Sequence, residues 1–191
     1  CYFHLGNYET AITDYTTAIA LDTNDTFARY MRGRAHYIMG DTLKANKDLQ
    51  RVVDDTNDAI ETAFALILLG HHEEARHLAD SILVADSVEP SERYNIACCY
   101  SMLGETELAF AALEDELKEG YIVFNHIRRD VDFIPLRGER LDSLLSIYEN
   151  KVQARIRDCG RCDYREPRFC PGRRKDKPLF PRRKAQRICP L

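Results

Sequence analysis

The sequence has no run of 18 apolar residues. Its longest, "AFALILL" from Ala63 to Leu69, is seven residues and too short to cross a bilayer as a helix, so no membrane span is expected. There is also no glycine-rich phosphate loop and no Ser/His/Asp set. The stretch "HHEEARH" from His71 to His77 lacks the four-residue histidine spacing of a zinc protease. His72 and His77 stand five apart, about 140° around a helix, and read as part of a solvated helix start. The "DCG" at Asp158 lacks the Thr or Ser that follows the catalytic Asp of aspartic proteases. No catalytic residue, cofactor site or metal site is therefore expected, and the chain reads as a non-enzyme. A starting Met is missing too, as is any basic stretch followed by an apolar core and a cleavage site. The expectation is a piece of a longer chain whose compartment cannot be read. Cys98 and Cys99 are adjacent, and neighbouring helical side chains diverge by about 100°, which disfavours a bridge between them.

What is present divides by charge. Residues 1–150 carry 13 Lys+Arg against 27 Asp+Glu, whereas residues 151–191 carry 14 against 4. An acidic body and a basic tail follow. The 191 residues suffice for one domain or a short array of repeats.

Repetition is visible once glycines that follow apolar residues are aligned: "FHLG" at Gly6, "YIMG" at Gly40, "ILLG" at Gly70 and "SMLG" at Gly104, spaced 34, 30 and 34. An alanine stands five residues after each, at Ala11, Ala45, Ala75 and Ala109, and seven further on come Ala18, Val52, Ile82 and Glu116. A period near 34, with a glycine turn between two amphipathic helices, resembles the tetratricopeptide repeat. The first unit, "LGNYETAITDYTTAIALDTND", is similar to the second half of such a repeat, with Thr23 where Pro is usual. The second, "TFARYMRGRAHYIMGDTLKANKDLQRVV", has both halves, with Gly33 as the small residue of its first helix. The fourth contains "YNIACCYSMLG", with Ala97 at the small position and Tyr100 at the aromatic one.

The resemblance implies an all-α fold, a right-handed superhelix of paired helices. Ala97 and Ala109 would then let the two helices of one repeat cross closely. The third unit departs from the pattern: "NDAIETAFALILLG" starts four residues early and is apolar on nearly every side. It reads as a central, well-covered repeat, or alternatively as a ligand groove at Ile60, Phe64 and Ile67.

Residues 1–120 are thus expected to form the array, as half a repeat plus three full ones, and residues 121–154 a closing segment. "DVDFIPLRGERLDSLL" resembles the stretch that closes many bacterial arrays. It is expected to cover the open end of the stack with Ile134, Leu136, Leu141, Leu144 and Leu145.

Residues 155–191 contain ten Arg, five Pro and four Cys, and lack Ser, Thr, Val, Asn, Met and His. Four thiols (Cys159, Cys162, Cys170, Cys189) match the number a zinc site needs but not its usual second knuckle. Thirteen basic residues with Tyr164, Phe169 and Phe180 suit non-specific contact with phosphates. The reading adopted is a disordered extension with no specific nucleic-acid or metal binding, of the composition that wrong-frame translation of a GC-rich gene yields. Its removal is expected to leave the melt nearly unchanged.

By the resemblance, the array is a scaffold that binds a protein or peptide partner along the concave face lined by each repeat's first helix. The residues expected there are Phe27, Tyr30, Arg34 and Tyr37, then Ile60 and Phe64, then Tyr94, Asn95, Cys98 and Ser101. Replacing Arg34 or Tyr94 by Ala is expected to weaken partner binding and leave the melt intact. The carboxylate clamp of co-chaperone arrays is not matched, because no Lys accompanies Asn95. The rival is that the array is the non-catalytic front of a bacterial enzyme, for example one with a retropepsin-like aspartic protease domain. The gene read in all three frames around codons 150–191 separates the two.

Overall fold

The computed structural model describes residues 2–55, 58–84, 90–120 and 123–159, without the side chains of residues 90, 91, 158 and 159. The basic tail beyond Cys159, and with it the zinc and phosphate readings, lies outside the described residues.

Helices begin where a short polar side chain can satisfy the free amides of the first turn. The Asn7 side chain accepts from the Thr10 amide at the start of α1 (Tyr8–Leu21), and Asp25 accepts from Ala28 at the start of α2 (Thr26–Ile38). Asp58 accepts from Ile60 and Glu61 at the head of α4 (Ala59–Leu69). α3 (Thr42–Asp55), α5 (His72–Leu83), α6 (Pro90–Leu103) and α7 (Thr106–Glu119) complete the array. Their connections turn on Gly40, Gly70 and Gly104, at φ of 78°, 86° and 79°, where any other residue would be strained. His71 and His72 are exposed at the start of α5, as a solvated helix start requires.

Each helix packs on the next in sequence: α2 on α3, α4 on α5, α6 on α7 within repeats, and α1 on α2, α3 on α4, α5 on α6 between them. The first helices also touch one another, α2 with α4 and α4 with α6, and so build one continuous inner wall. This is the all-helical stack of sequential pairs that the repeat period implies. The alanines do what their size permits, for Ala11, Ala45, Ala75, Ala97 and Ala109 are all buried. At Gly33 a Cβ would stand 3.1 Å from Leu49, so α2 and α3 nearly touch backbone to side chain there. Ala109→Leu is expected to cost about 1–3 kcal/mol by overpacking this kind of crossing, read as a lower melting midpoint.

The apolar third unit is core. Ile60, Phe64 and Ile67 are buried, and the Phe64 ring stacks on Tyr30 of the preceding repeat at 5.6 Å between centroids. Among the described residues these side chains are taken up by packing instead of lining a groove. At the head of α4, burial and then the neighbouring Asp58 push the Glu61 carboxyl up from its ordinary 4.5 to about 8. A carboxyl raised in this way stabilises the fold fully below its unfolded pKa and loses that contribution as pH rises through the folded one. Glu61→Gln is therefore expected to melt higher than the parent at pH 9. Near pH 4 the two should melt together, which thermal scans across the range would check.

Beyond the array, α8 (Phe124–Arg129) and a 3₁₀ turn (Val131–Leu136) lead to α9 (Glu139–Cys159). α9 lies against α7. Arg140 forks onto Glu107 at 2.5 and 2.8 Å, with its guanidinium 4.0 Å over the Phe110 ring, and the Tyr148 hydroxyl donates to Glu114 at 3.2 Å. Of the five residues expected to cover the end of the stack, Leu136, Leu141 and Leu145 are buried and Leu144 is half-buried. Ile134 is instead 54% exposed. The cause is the three-residue period of the 3₁₀ turn, which aligns Phe133 with Leu136 on the inward side and turns Ile134 out.

Candidate functional site

The inner wall is not empty. The 3₁₀ turn that follows α8 doubles back from the end of the stack and packs on α6, the first helix of the last repeat. It lies across several of the side chains the sequence places on the concave face.

Arg34 projects from the middle of α2 and forks onto the Asp132 carboxylate, 98 residues away in sequence, with Nη1 to Oδ2 at 3.2 Å and a closer Nη2 to Oδ1 contact. The same guanidinium donates to the Tyr30 hydroxyl at 3.3 Å and sits 5.5 Å from the Phe3 ring centroid. Both partners are largely withdrawn from water, with side chains 12% and 10% exposed. Ser101 donates its hydroxyl to the Asp132 carbonyl at 2.6 Å, and Tyr94 donates to the Asp130 carboxylate at 2.6 Å. The Tyr94 ring meets Phe133 edge-on at 5.4 Å and stacks on His126 at 5.6 Å. Phe133 is fully buried. A short 3₁₀ strip of chain is thus held as a bound peptide would be: by a charge-assisted fork, two hydroxyl donors and an aromatic anchor.

Of the ten residues expected on this face, Arg34, Tyr94 and Ser101 bind the strip directly, and Tyr30 braces Arg34. Cys98 is buried beside the strip, while Ile60 and Phe64 pack into the core. Asn95 is half-buried on α6. Phe27 and Tyr37, at opposite ends of α2, remain 37% and 47% exposed. The expectation that Arg34→Ala and Tyr94→Ala spare the melt does not suit this geometry, because the first leaves the buried Asp132 behind and the second the half-buried Asp130.

Asp130, Asp132, Phe133 and His126 were not among the expected residues. The signal available was the alternation of acidic and apolar residues in "DVDF", together with one cation, Arg34, on an otherwise uncharged list.

Cys98 Sγ and carboxylate oxygens of Asp130 and Asp132 lie within 4.8 Å of one another, donor types that suit a metal ion. Here Arg34 already supplies positive charge to Asp132, and burial, followed by the two carboxylates, raises the Cys98 thiol well above its ordinary value. The thiol stays protonated. The cluster belongs to the clasp that holds the strip.

A family model described as "TPR repeat" matches residues 1–40, the half-repeat and the first helix after it. That segment is similar to a tetratricopeptide repeat, and the helices beyond it continue the same sequential pairing. Among curated proteins it is similar to a chloroplastic protein of Arabidopsis thaliana, 39% identical over 85 residues. That alignment takes in 42% of this chain and 25% of the relative, so the chain spans only a part of that protein's length. The expected bacterial character finds no support in this plant relative. The stack of paired helices accounts for the glycine and alanine register, and the strip packs across α6 on its inner wall.

Proposed function

We infer that this chain is a protein-interaction scaffold that takes a segment of a partner protein on the inner face of its repeat stack. One observation carries the reading: the inner wall holds a strip of polypeptide by Arg34 of α2 and by Tyr94 and Ser101 of α6. Repeats of this kind are binding modules, which supports the scaffold reading. Arg34, Tyr94 and Ser101 form the floor of the site, and Phe27 and Tyr37 are its exposed apolar ends.

A photo-crosslinking residue at position 27 or 37 tests this against one at Leu43, an exposed apolar position on the second helix of the same repeat. Crosslinks to one partner from positions 27 and 37, absent from position 43, are the expected result. Equal capture at all three positions would remove the inner face from the account.

A further inference from the structure

We propose that the inner face recognises a partner segment of the pattern acidic–x–acidic–aromatic, and that Asp130–Phe133 is the chain's own copy of that ligand. The proposal rests on the scaffold reading above and names its partner class.

Ligand chemistry is written in the contacts. Asp132 is read twice, its carboxylate by the Arg34 fork and its backbone carbonyl by Ser101. Asp130 is read by Tyr94, and it also turns the strip by accepting from the Asp132 amide at 3.0 Å. Phe133 fills the place beside Tyr94. The residue between the two acids, Val131, is 46% exposed and contributes little to recognition, as does the outward Ile134. A fork with geometric preference, a hydroxyl aimed at a backbone carbonyl and an aromatic slot select a short peptide by pattern, which helix packing alone does not need.

The strip is joined to the rest of the chain by two short elements. On one side it follows α8, a helix of six residues, and on the other it meets Gly138 at φ 142°, a backbone state almost confined to glycine. A buried ion pair contributes little net stability, because desolvation offsets most of its attraction. A partner carboxylate that replaces Asp132 on Arg34 therefore restores the pair without penalty. Tethering gives the internal copy an effective concentration on the order of millimolar, so it blocks weak ligands and yields to a partner that adds contacts at Phe27 and Tyr37.

The test uses a fluorescein-labelled peptide of residues 128–138, "RRDVDFIPLRG". It is titrated by anisotropy into the full chain, into Asp132→Asn, and into Asp132→Asn combined with Arg34→Ala. Asp132→Asn keeps the size of the strip and removes its charge, and Asp130→Asn is the second variant should the first lose helical circular dichroism. The expected result is at least tenfold tighter binding to Asp132→Asn than to the parent. That gain should be lost with Arg34→Ala and with a peptide carrying Asn at both acidic positions. Equal affinity for parent and variant, or no binding to a variant that keeps its helicity, overturns the proposal. So does a concentration-dependent dimer of the parent in light scattering, since the face would then take the strip of a second copy. Failure of the crosslinking above, with peptide binding intact, would reject the partner at positions 27 and 37 and leave the ligand pattern standing.

Discussion

Arg34→Ala lowers the melting midpoint by about 10 °C, the shift expected from roughly 3 kcal/mol in a domain near 150 residues. The reason is the carboxylate left behind. Burial already pushes the Asp132 carboxyl up against the pull of Arg34, and without the guanidinium it must either take a proton or stay charged with its main counterion gone. Tyr30 loses its hydrogen-bond partner in the same step, and Phe3 loses the cation over its ring. Arg34→Met combined with Asp132→Leu should recover most of the loss, since an apolar pair of similar volume avoids both desolvation costs. A midpoint for Arg34→Ala within about 2 °C of the parent would show that the fork is exposed in solution and that the strip spends its time off the wall.

Phe133→Ala should be as damaging, at about 3–5 kcal/mol, for it empties a fully buried aromatic site. Its effect should also be local before it is global. The strip packs on α6, so amide exchange in α6 ought to accelerate first, with α1 to α3 following only at the global unfolding rate. Uniform acceleration across all helices would mean that the strip and the array unfold together even in the variant. That outcome would deny the strip any independent release.

The sequence disclosed what is imposed locally. Gly40, Gly70 and Gly104 could be placed because a left-handed turn restricts the residue type at one position. Ala45, Ala75 and Ala109 could be placed because a close crossing limits side-chain size at one position. Both constraints recur with the repeat, so they show as periodicity. The strip obeys no period. Arg34 and Asp132 meet because the stack curves enough to bring α2 beneath a turn that leaves the far end, and curvature arises from small rotations summed over repeats. Ile134 shows the same limit at short range. Expecting it to be buried assumed helical spacing through "DFIPL", whereas a 3₁₀ turn changes the period from 3.6 to 3.0 and sends the residue outward.

A plain stack of repeats is a line. Each unit knows only its neighbours, and units can in principle be added or removed with energies that sum along the row. The Arg34–Asp132 fork turns this line into a loop, because a residue of the first full repeat is clasped to one beyond the last. Inserting or deleting a single repeat between them would then displace the two halves of the clasp by a full step of the superhelix, so the number of repeats from α2 to α7 is fixed by the clasp. While the clasp is closed, the loop also couples the repeats it spans, which in a free row could open one by one. A contact that spans 98 residues carries a large loop-closure cost, so the rows are expected to stack before the closure forms.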